Sequence, residues 1–476
     1  MNARLHSPLF RAITRKVFLN LLLLVAPSVF AARAPLALHP DNPHYFLFRG
    51  KPTVIVTSGE HYGAVLNLDF DFKKYLDTLA KDGLNNTRAW AGAYCEAPGN
   101  FGITSNTLAP LPGRFIAPWA RSGQQGYANG GNKFDLSRWD DAYFARLKAF
   151  LTHASKRGVI VEMNLFCPFY EDSMWQLSPM NAANNVNGVG TVARTNVYTL
   201  DRHGGLLAVQ EAMVRKIVTE LKDFDNLYYE ICNEPYFGGV TLEWQHHIAD
   251  LITETERGLG VRHLIAQNIA NNKARVVNPH PAISIFNFHY ASPPDTVAMN
   301  WSLNKVIGDN ETGFKGTNNL HYRREGWQFI LAGGALYNNL DYSFIAGFED
   351  GTFVYPAKMP GGGNPDFRRQ MNVLKEFIHS FDFLRMQPDR SVIKGGLPDK
   401  AAAYALAESG RQYAIYLAGG SQANLQIDLP AGRYTVEWVN TKTGKIDKRE
   451  KLRHPGAVAT LASPGYVEDI ALRIVK

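Results

Sequence analysis

The stretch YYEICNEPYF, residues 228–237, decides how the chain is read. A run of β-formers leads without a break into Asn233, Glu234 and Pro235. An ionised glutamate at the end of an apolar strand is costly unless it is paired or its chemistry is used. The segments on either side say what kind of strand this is.

Working outward, strand-like and helix-like segments alternate. KPTVIVTS (51–58) precedes the helical pattern DFDFKKYLDTLAKDG (69–83), with Phe72, Leu76, Leu79 and Ala80 on one face and Gly83 as a stop. LNNTRAW (84–90) precedes a long loop rich in Gly, Asn and Pro, and then the helix SRWDDAYFARLKAFLTHASKRG (137–158). VIVEMNLF (159–166) precedes another long loop and the helix LLAVQEAMVRKIVTELKDF (206–224). After the opening stretch come the helix at 242–260 and strands at 262–268, 282–290, 304–311 and 335–344, with helical segments between most of them. Eight strands alternating with helices predict an α/β fold whose parallel sheet closes as a (β/α)8 TIM barrel. A doubly wound open sheet is the competing reading, but no glycine-rich phosphate loop follows the first strand.

Past the helix 367–384 the texture changes to short strands separated by turns, at 401–409, 411–420, 423–430, 432–446 and 469–476. This predicts a small C-terminal antiparallel β-sandwich. The expected divisions are a signal peptide at 1–31, a barrel at 32–386 and a sandwich at 387–476. Tyr416, Tyr434 and Trp438 are available for the sandwich core or for contact with the barrel. The linker RMQPDRSVIKGG (385–396) has no long flexible tract, so the sandwich is expected to dock on the barrel, away from the mouth at the strands' carboxyl ends.

Composition fits a large globular chain: 476 residues, 45% hydrophobic and 12% aromatic. Four of the charges behind the net +7, on Arg4, Arg11, Arg15 and Lys16, lie in the first 31 residues, which hold no acid; the remainder carries +3. That excess is too small to argue for a nucleic-acid partner. The same opening has a basic start, the apolar run VFLNLLLLVAPSVFA and small residues at Ala31 and Ala32, the pattern of a secretory signal. The expected location is therefore periplasmic or secreted, with no stable membrane insertion after cleavage, and an uncleaved membrane anchor is the alternative reading. Three cysteines, Cys95, Cys167 and Cys232, exclude a disulfide framework.

Residues at the carboxyl ends of barrel strands line the open face, where catalytic sites form. Glu234 falls there, and NKVIGDNETGF (304–314) puts Glu311 at the end of the seventh strand. Strands four and seven face each other across the mouth. Two carboxyl groups so placed flank a glycosidic bond, one protonated and donating to the leaving oxygen, the other ionised and attacking the anomeric carbon. The expected separation of their nearest oxygens is about 5 Å, the spacing of a retaining pair. Strict alternation sends Asn233 and Glu234 to opposite sides, so both reach a ligand only if the strand distorts at its end.

Other residues carry two readings. Glu60 and His61 follow the first strand and either bind sugar hydroxyls or hold the loop, and Asn164 at the end of strand three is similarly divided. Glu230 reads as a structural carboxylate paired inside the barrel. His246 and His247 lack an acidic partner at ligand spacing and read as surface or packing, so no metal site is expected. Trp90, Tyr94, Trp119, Tyr170 and Trp175 cluster in loops after strands two and three, where aromatic faces stack on sugars or pack the loops. Sequons at Asn85, Asn300 and Asn310 fall beside the expected site and are expected to be unmodified.

The stretch YEICNEP resembles the strand-four signature of the (β/α)8 glycoside hydrolases of family 5 and related cellulase-like proteins. The resemblance implies that Asn233 binds the sugar 2-hydroxyl, that Glu234 is the acid/base and that Glu311 is the nucleophile. It also makes Arg88, in NNTRAW, the arginine that steadies the nucleophile. The family has a histidine and an aromatic separated by one intervening residue after strand six. Here His289 and Tyr290 are adjacent, and either one is expected in the site. The family's tryptophan after strand eight is absent, leaving Tyr342 or Phe344 as a stacking platform. The C-terminal segment is similar to a small domain named as a collagen-binding module. The implied activity is retaining hydrolysis of β-linked oligo- or polysaccharides with no cofactor. Inversion is the runner-up mechanism, and a non-catalytic carbohydrate or matrix binder is the alternative function.

Overall fold

The structure is a computed structural model that describes Met1 and residues 33–476. The expected signal peptide lies outside the described residues. Among those described, no helix is long and apolar enough to cross a membrane.

Eight strands form one parallel sheet: β1 (Ile55–Gly59), β2 (Asn86–Trp90), β3 (Ile160–Phe166), β4 (Leu227–Cys232), β5 (Ile265–Asn271), β6 (Ile283–His289), β7 (Val306–Thr312) and β8 (Leu336–Leu340). Their spatial order is 1-8-7-6-5-4-3-2, so the two ends of the ladder, β1 and β2, are chain neighbours. Side chains bridge the seam between them. Asn85 accepts from the Val56 amide at 3.0 Å and donates to the Val54 carbonyl at 3.0 Å, and the Thr57 hydroxyl donates to the Asn86 carbonyl at 2.7 Å. The sheet is thus an almost closed (β/α)8 barrel, as the alternating pattern predicts.

Besides a single turn at Asp172–Trp175, the α-helices are α1 (Phe72–Lys81), α2 (Asp141–Arg157), α3 (Leu206–Leu221), α4 (Leu242–Leu259), α5 (Asp295–Asn300), α6 (Asn319–Leu331) and α7 (Pro365–His379). Their limits follow local chemistry. Asp71 caps α1 by accepting from the Lys73 and Lys74 amides, and Asp140 caps α2 through Ala142 and Tyr143. Gly158 ends α2 at φ 72, a left-handed value that suits glycine.

Several expectations need correction. The expected strand at 51–58 is two: Lys51–Thr53 belongs to a small antiparallel sheet with Ala37–Leu38 and Phe46–Phe48, and the barrel strand starts at Ile55. On α1 the fourth buried residue is Tyr75; Ala80 is only partly covered. The loop after β2 contains a hairpin, Trp119–Gln125 with Asn132–Trp139, whose second strand takes up Ser137 to Trp139, assigned by pattern to the helix. Helical segments are expected between most of the later strands, and the gap without one among the described residues is that between β5 and β6.

The C-terminal strands are β9 (Ala402–Glu408), β10 (Gln412–Ala418), β11 (Asn424–Asp428), β12 (Gly432–Val439), β13 (Ile446–His454), β14 (Val458–Ala462) and β15 (Asp469–Val475). A larger antiparallel sheet runs Gln387–Pro388, β9, β10, β15, β12, β13, and a smaller one pairs Ile393–Gly395, β11 and β14. Alternation assigns the two faces of β10. Tyr413, Ile415 and Leu417 point into the sandwich core, whereas Ala414, Tyr416 and Ala418 join the barrel's core. Tyr434 and Trp438 fill the sandwich core; Tyr416 stacks on Trp327 of α6, with centroids 5.3 Å apart. Buried Arg323 of α6 pairs with buried Asp469 at 3.0 Å. The sandwich therefore docks on the barrel through a mixed apolar and ionic face, and Arg33–Lys476 form one compact unit.

Candidate active site

Below the mouth, the barrel interior is filled by a polar lattice centred on Arg88 of β2. Its guanidinium donates to Glu162 at 2.8 Å, Glu230 at 2.7 Å, Asn233 at 2.9 Å and Glu311 at 3.0 Å. Asn164, Asn287 and Asn310 complete the shell of Glu230 at 3.1, 2.6 and 2.8 Å, and the Tyr228 hydroxyl donates to Glu162 at 2.6 Å. Arg88 is also capped by the Tyr62 ring, 4.3 Å away. This cationic centre ties the buried carboxylates below to Glu311 above.

At the mouth two carboxylates have separate sets of partners. Glu311 accepts from Tyr62 at 2.9 Å and Arg88 on one oxygen, and from Tyr290 at 2.6 Å on the other. Glu234 accepts from Tyr170 at 2.6 Å on one oxygen, while its other faces His289 Nδ1 at 3.0 Å and the Tyr236 hydroxyl at 3.2 Å. His289 Nδ1 is also 3.6 Å from Glu311. A carboxylate oxygen from each glutamate and a ring nitrogen of His289 all lie within 4.8 Å of one another. Among the described residues this trio also has the ligand types and spacing to hold a metal ion.

Burial alone pushes Glu234 up, but His289 and the hydroxyls of Tyr170 and Tyr236 more than offset it and hold Glu234 below the usual carboxylate range. For His289 burial works downward; Glu311 and Glu234 overcome it and raise the imidazole. Both shifts come from one contact, His289 Nδ1 lying 3.0 Å from Glu234 and 3.6 Å from Glu311.

Backbone geometry resolves the alternation problem. β4 ends at Cys232, and Glu234 adopts φ 37, in the left-handed region, which turns its side chain to the same mouth as Asn233. Tyr290 has φ 53 just past the end of β6, so adjacent His289 and Tyr290 both reach the carboxylates. Tyr62, Phe101 and Asn272 are also left-handed and line the cleft. Such strain is concentrated where the surrounding structure fixes side-chain direction.

The cleft encloses about 370 Å³. Of the residues singled out by sequence, His61, Trp90, Tyr170, Asn233, Glu234, Tyr290 and Glu311 line it, with Arg88 and His289 directly behind the carboxylates. Others are elsewhere. Glu60 accepts from the Gly63 and Ala64 amides and the Thr107 hydroxyl, so it holds the loop after β1. Asn164 serves Glu230 in the lattice. Tyr342 is buried behind Phe314 and His61, and Phe344 packs on Tyr75 and Arg368; neither lines the cleft. Trp119, Trp175 and Tyr94 are buried loop packing. Asn300 and Asn310 are buried and hydrogen-bonded, and Asn85 bridges the seam at the opposite end of the barrel from the mouth, so the sequons do not all border the site.

Sequence reading missed Tyr62, Glu96, Phe101, Phe237, Asn271, Asn272, Phe314 and Lys315. A signal existed for two of them: Glu234-Pro-Tyr-Phe237 and Glu311-Thr-Gly-Phe314 repeat one spacing after both carboxylates. Glu96 is a third cleft carboxyl. Burial pushes it up to about 7, and it accepts hydrogen bonds from Tyr94 and Asn106.

Solved structures share this architecture. One, described as a glycoside hydrolase, superposes with a TM-score of 0.61 at 15% identity over 93% of this chain and 97% of that one. Another, a family 5 glycoside hydrolase from Bacteroides vulgatus ATCC 8482, gives 0.63 at 16% identity over 93% and 94%. At such identities the likeness is one of fold, and its coverage takes in sandwich as well as barrel. No protein-family model and no curated protein matches the sequence.

Proposed function

We propose that this chain is a retaining glycoside hydrolase acting on β-linked glycosides, with Glu234 as acid/base and Glu311 as nucleophile. The observation that carries the reading is the opposed pair itself: carboxylates from β4 and β7, within 4.8 Å, each with its own hydrogen-bonding shell. A spacing of about 5 Å leaves no room for a water between carboxylate and sugar, which favours direct attack over inversion. The glycoside hydrolase descriptions of the structures with the same fold support the reaction class.

In the proposed sequence Glu311, oriented by Arg88, Tyr62 and Tyr290, attacks the anomeric carbon. The bond to the leaving oxygen breaks, and that oxygen takes a proton from Glu234. His289 Nδ1, 3.0 Å from Glu234, is within reach to exchange a proton with it and so to supply the acid form that protonates the leaving oxygen. Water, deprotonated by Glu234, then releases the sugar from Glu311. Asn233, held between Arg88 and Tyr170, is proposed to meet the sugar 2-hydroxyl. Residues 1–31 are proposed to direct export, which cell fractionation with and without them checks.

The decisive experiment uses a 2-deoxy-2-fluoro aryl β-glycoside panel and intact-protein mass spectrometry. A stable adduct of one fluoroglycosyl unit, mapped to Glu311, is expected. Hydrolysis of the parent glycosides with inversion of the product anomer would overturn the retaining mechanism. Binding of glycosides with no hydrolysis would favour the non-catalytic carbohydrate binder.

A further inference from the structure

The cleft has two unlike ends. At one, His61, Trp90 and Glu96 are 7%, 4% and 3% exposed, so the wall there is closed. This end is polar. Each Glu96 oxygen already accepts one hydrogen bond and retains a lone pair, and His61 Nδ1 is buried without a partner. Phe101, Phe237 and Phe314, by contrast, are 40%, 43% and 38% exposed, so they form the solvent-facing end of the lining.

Glu234 fixes which end takes which part of a glycoside. A proton donor stands beside the leaving oxygen, so its side of the cleft is the leaving-group side. The Phe237 amide donates to the Glu234 carbonyl at 3.0 Å. Tyr170, whose hydroxyl sits on Glu234, has the Phe237 ring at 5.7 Å and the Phe101 ring at 5.3 Å. These rings are crossed and not coplanar: Phe101 stands at 89° to Tyr170 and 75° to Phe314. Crossed rings make an apolar cup, whereas a pyranose stacks on one open, flat aromatic face flanked by hydrogen-bonding groups. The polar groups beside these rings are few: Asn271, whose Oδ1 accepts from the Tyr236 hydroxyl, Asn272 and Lys315.

We propose that the cleft takes a β-glycoside with one terminal sugar at the Glu96 end and an apolar aglycone, alkyl or aryl, as the leaving group among the phenylalanines. This rests on the hydrolase reading above and narrows its substrate class. Hexyl and methyl β-glycosides of glucose, galactose, mannose and xylose test it, because each pair shares its sugar and alkoxide leaving group and differs only in apolar length. Binding is measured by calorimetry on Glu234→Gln and turnover on the unaltered protein. For the preferred sugar, the hexyl compound should be favoured at least about tenfold in Kd and in kcat/KM, the gain from burying roughly two methylenes. Phe101→Ala and Phe237→Ala should each narrow that ratio several-fold. A ratio near one, or a disaccharide of the same sugar bound as tightly as the hexyl glycoside, would overturn the proposal. Hexyl-selective binding with no turnover of any β-glycoside would instead overturn the hydrolase reading and uphold the apolar cup.

Discussion

Glu162 and Glu230 lie one layer below Glu234 and Glu311 in the same barrel, and Arg88 touches three of the four. The lower pair is wholly buried, and protein donors surround its oxygens. The upper pair is 7% and 6% exposed and faces an open cleft. Identical side chains thus differ in whether a ligand can reach their lone pairs, which on the proposed reading separates structure from chemistry. The lower layer fixes Arg88, and Arg88 with two tyrosines fixes Glu311, so precision above is built on saturation below.

The sharpest way to break this comparison is to neutralise each layer in turn. Glu311→Gln and Glu234→Gln should each lower turnover about a thousandfold or more while leaving the melting temperature nearly unchanged, since an amide keeps the shape but neither attacks nor donates the proton. On an activated aryl glycoside, Glu234→Ala should still form the glycosyl intermediate, and azide should speed its release. Rescue of Glu311→Ala instead would mean the roles are exchanged.

The lower layer should respond in the opposite sense. Glu230→Ala removes the acceptor of Arg88, Asn164, Asn287 and Asn310 at once, leaving a buried cation and amides short of partners. The expected loss is about 3–5 kcal/mol of stability, read from denaturant unfolding. A Glu230→Ala protein as stable as its parent, but inactive, would place Glu230 with the upper layer.

The eight barrel strands were legible because buried parallel strands are written as continuous apolar runs, and Glu234 and Glu311 stood out as charges ending such runs. Strand β13 was not, because IDKREKLRH is an edge strand with charges along both faces. The joint reach of Asn233 with Glu234 and of His289 with Tyr290 was also hidden, because left-handed φ at a glutamate or tyrosine has no residue signature like that of glycine. The phenylalanine rim was missed for a different reason. Half-exposure of a loop aromatic depends on the surface around it.

A smaller test concerns buried titrating groups at the mouth. Burial pushes Glu60 and Glu96 up to about 7 from an ordinary 4.5, so each binds its proton more tightly in the folded chain. Their contribution is full below pH 4.5 and is lost as pH rises through about 7. His61 runs the other way. Burial takes it down to about 4, so protonation opposes folding as pH falls from 6.5 to 4. Glu96→Gln should therefore lose less melting temperature between pH 5 and pH 8 than the unaltered protein. A steeper loss would mean that Glu96 is ionised in the fold and paired.

The smallest expected effect lies at the contact between sandwich and barrel, where the comparison repeats in miniature at Asp469. This buried carboxylate accepts from Arg323, Tyr416 and Thr441, as saturated as Glu230 and equally closed to ligands. We propose that residues 32–386 and 387–476 are two domains that melt as one through this contact, so calorimetry should record a single transition. Tyr416→Phe removes one of several donors and keeps the ring stacked on Trp327. It should cost about 1 kcal/mol of stability and leave kcat/KM on any glycoside unchanged. A second transition in Tyr416→Phe, or a change in substrate preference, would show the sandwich to be a separately folding module or a part of the site, and the rule that saturated carboxylates are structural would fail at Asp469.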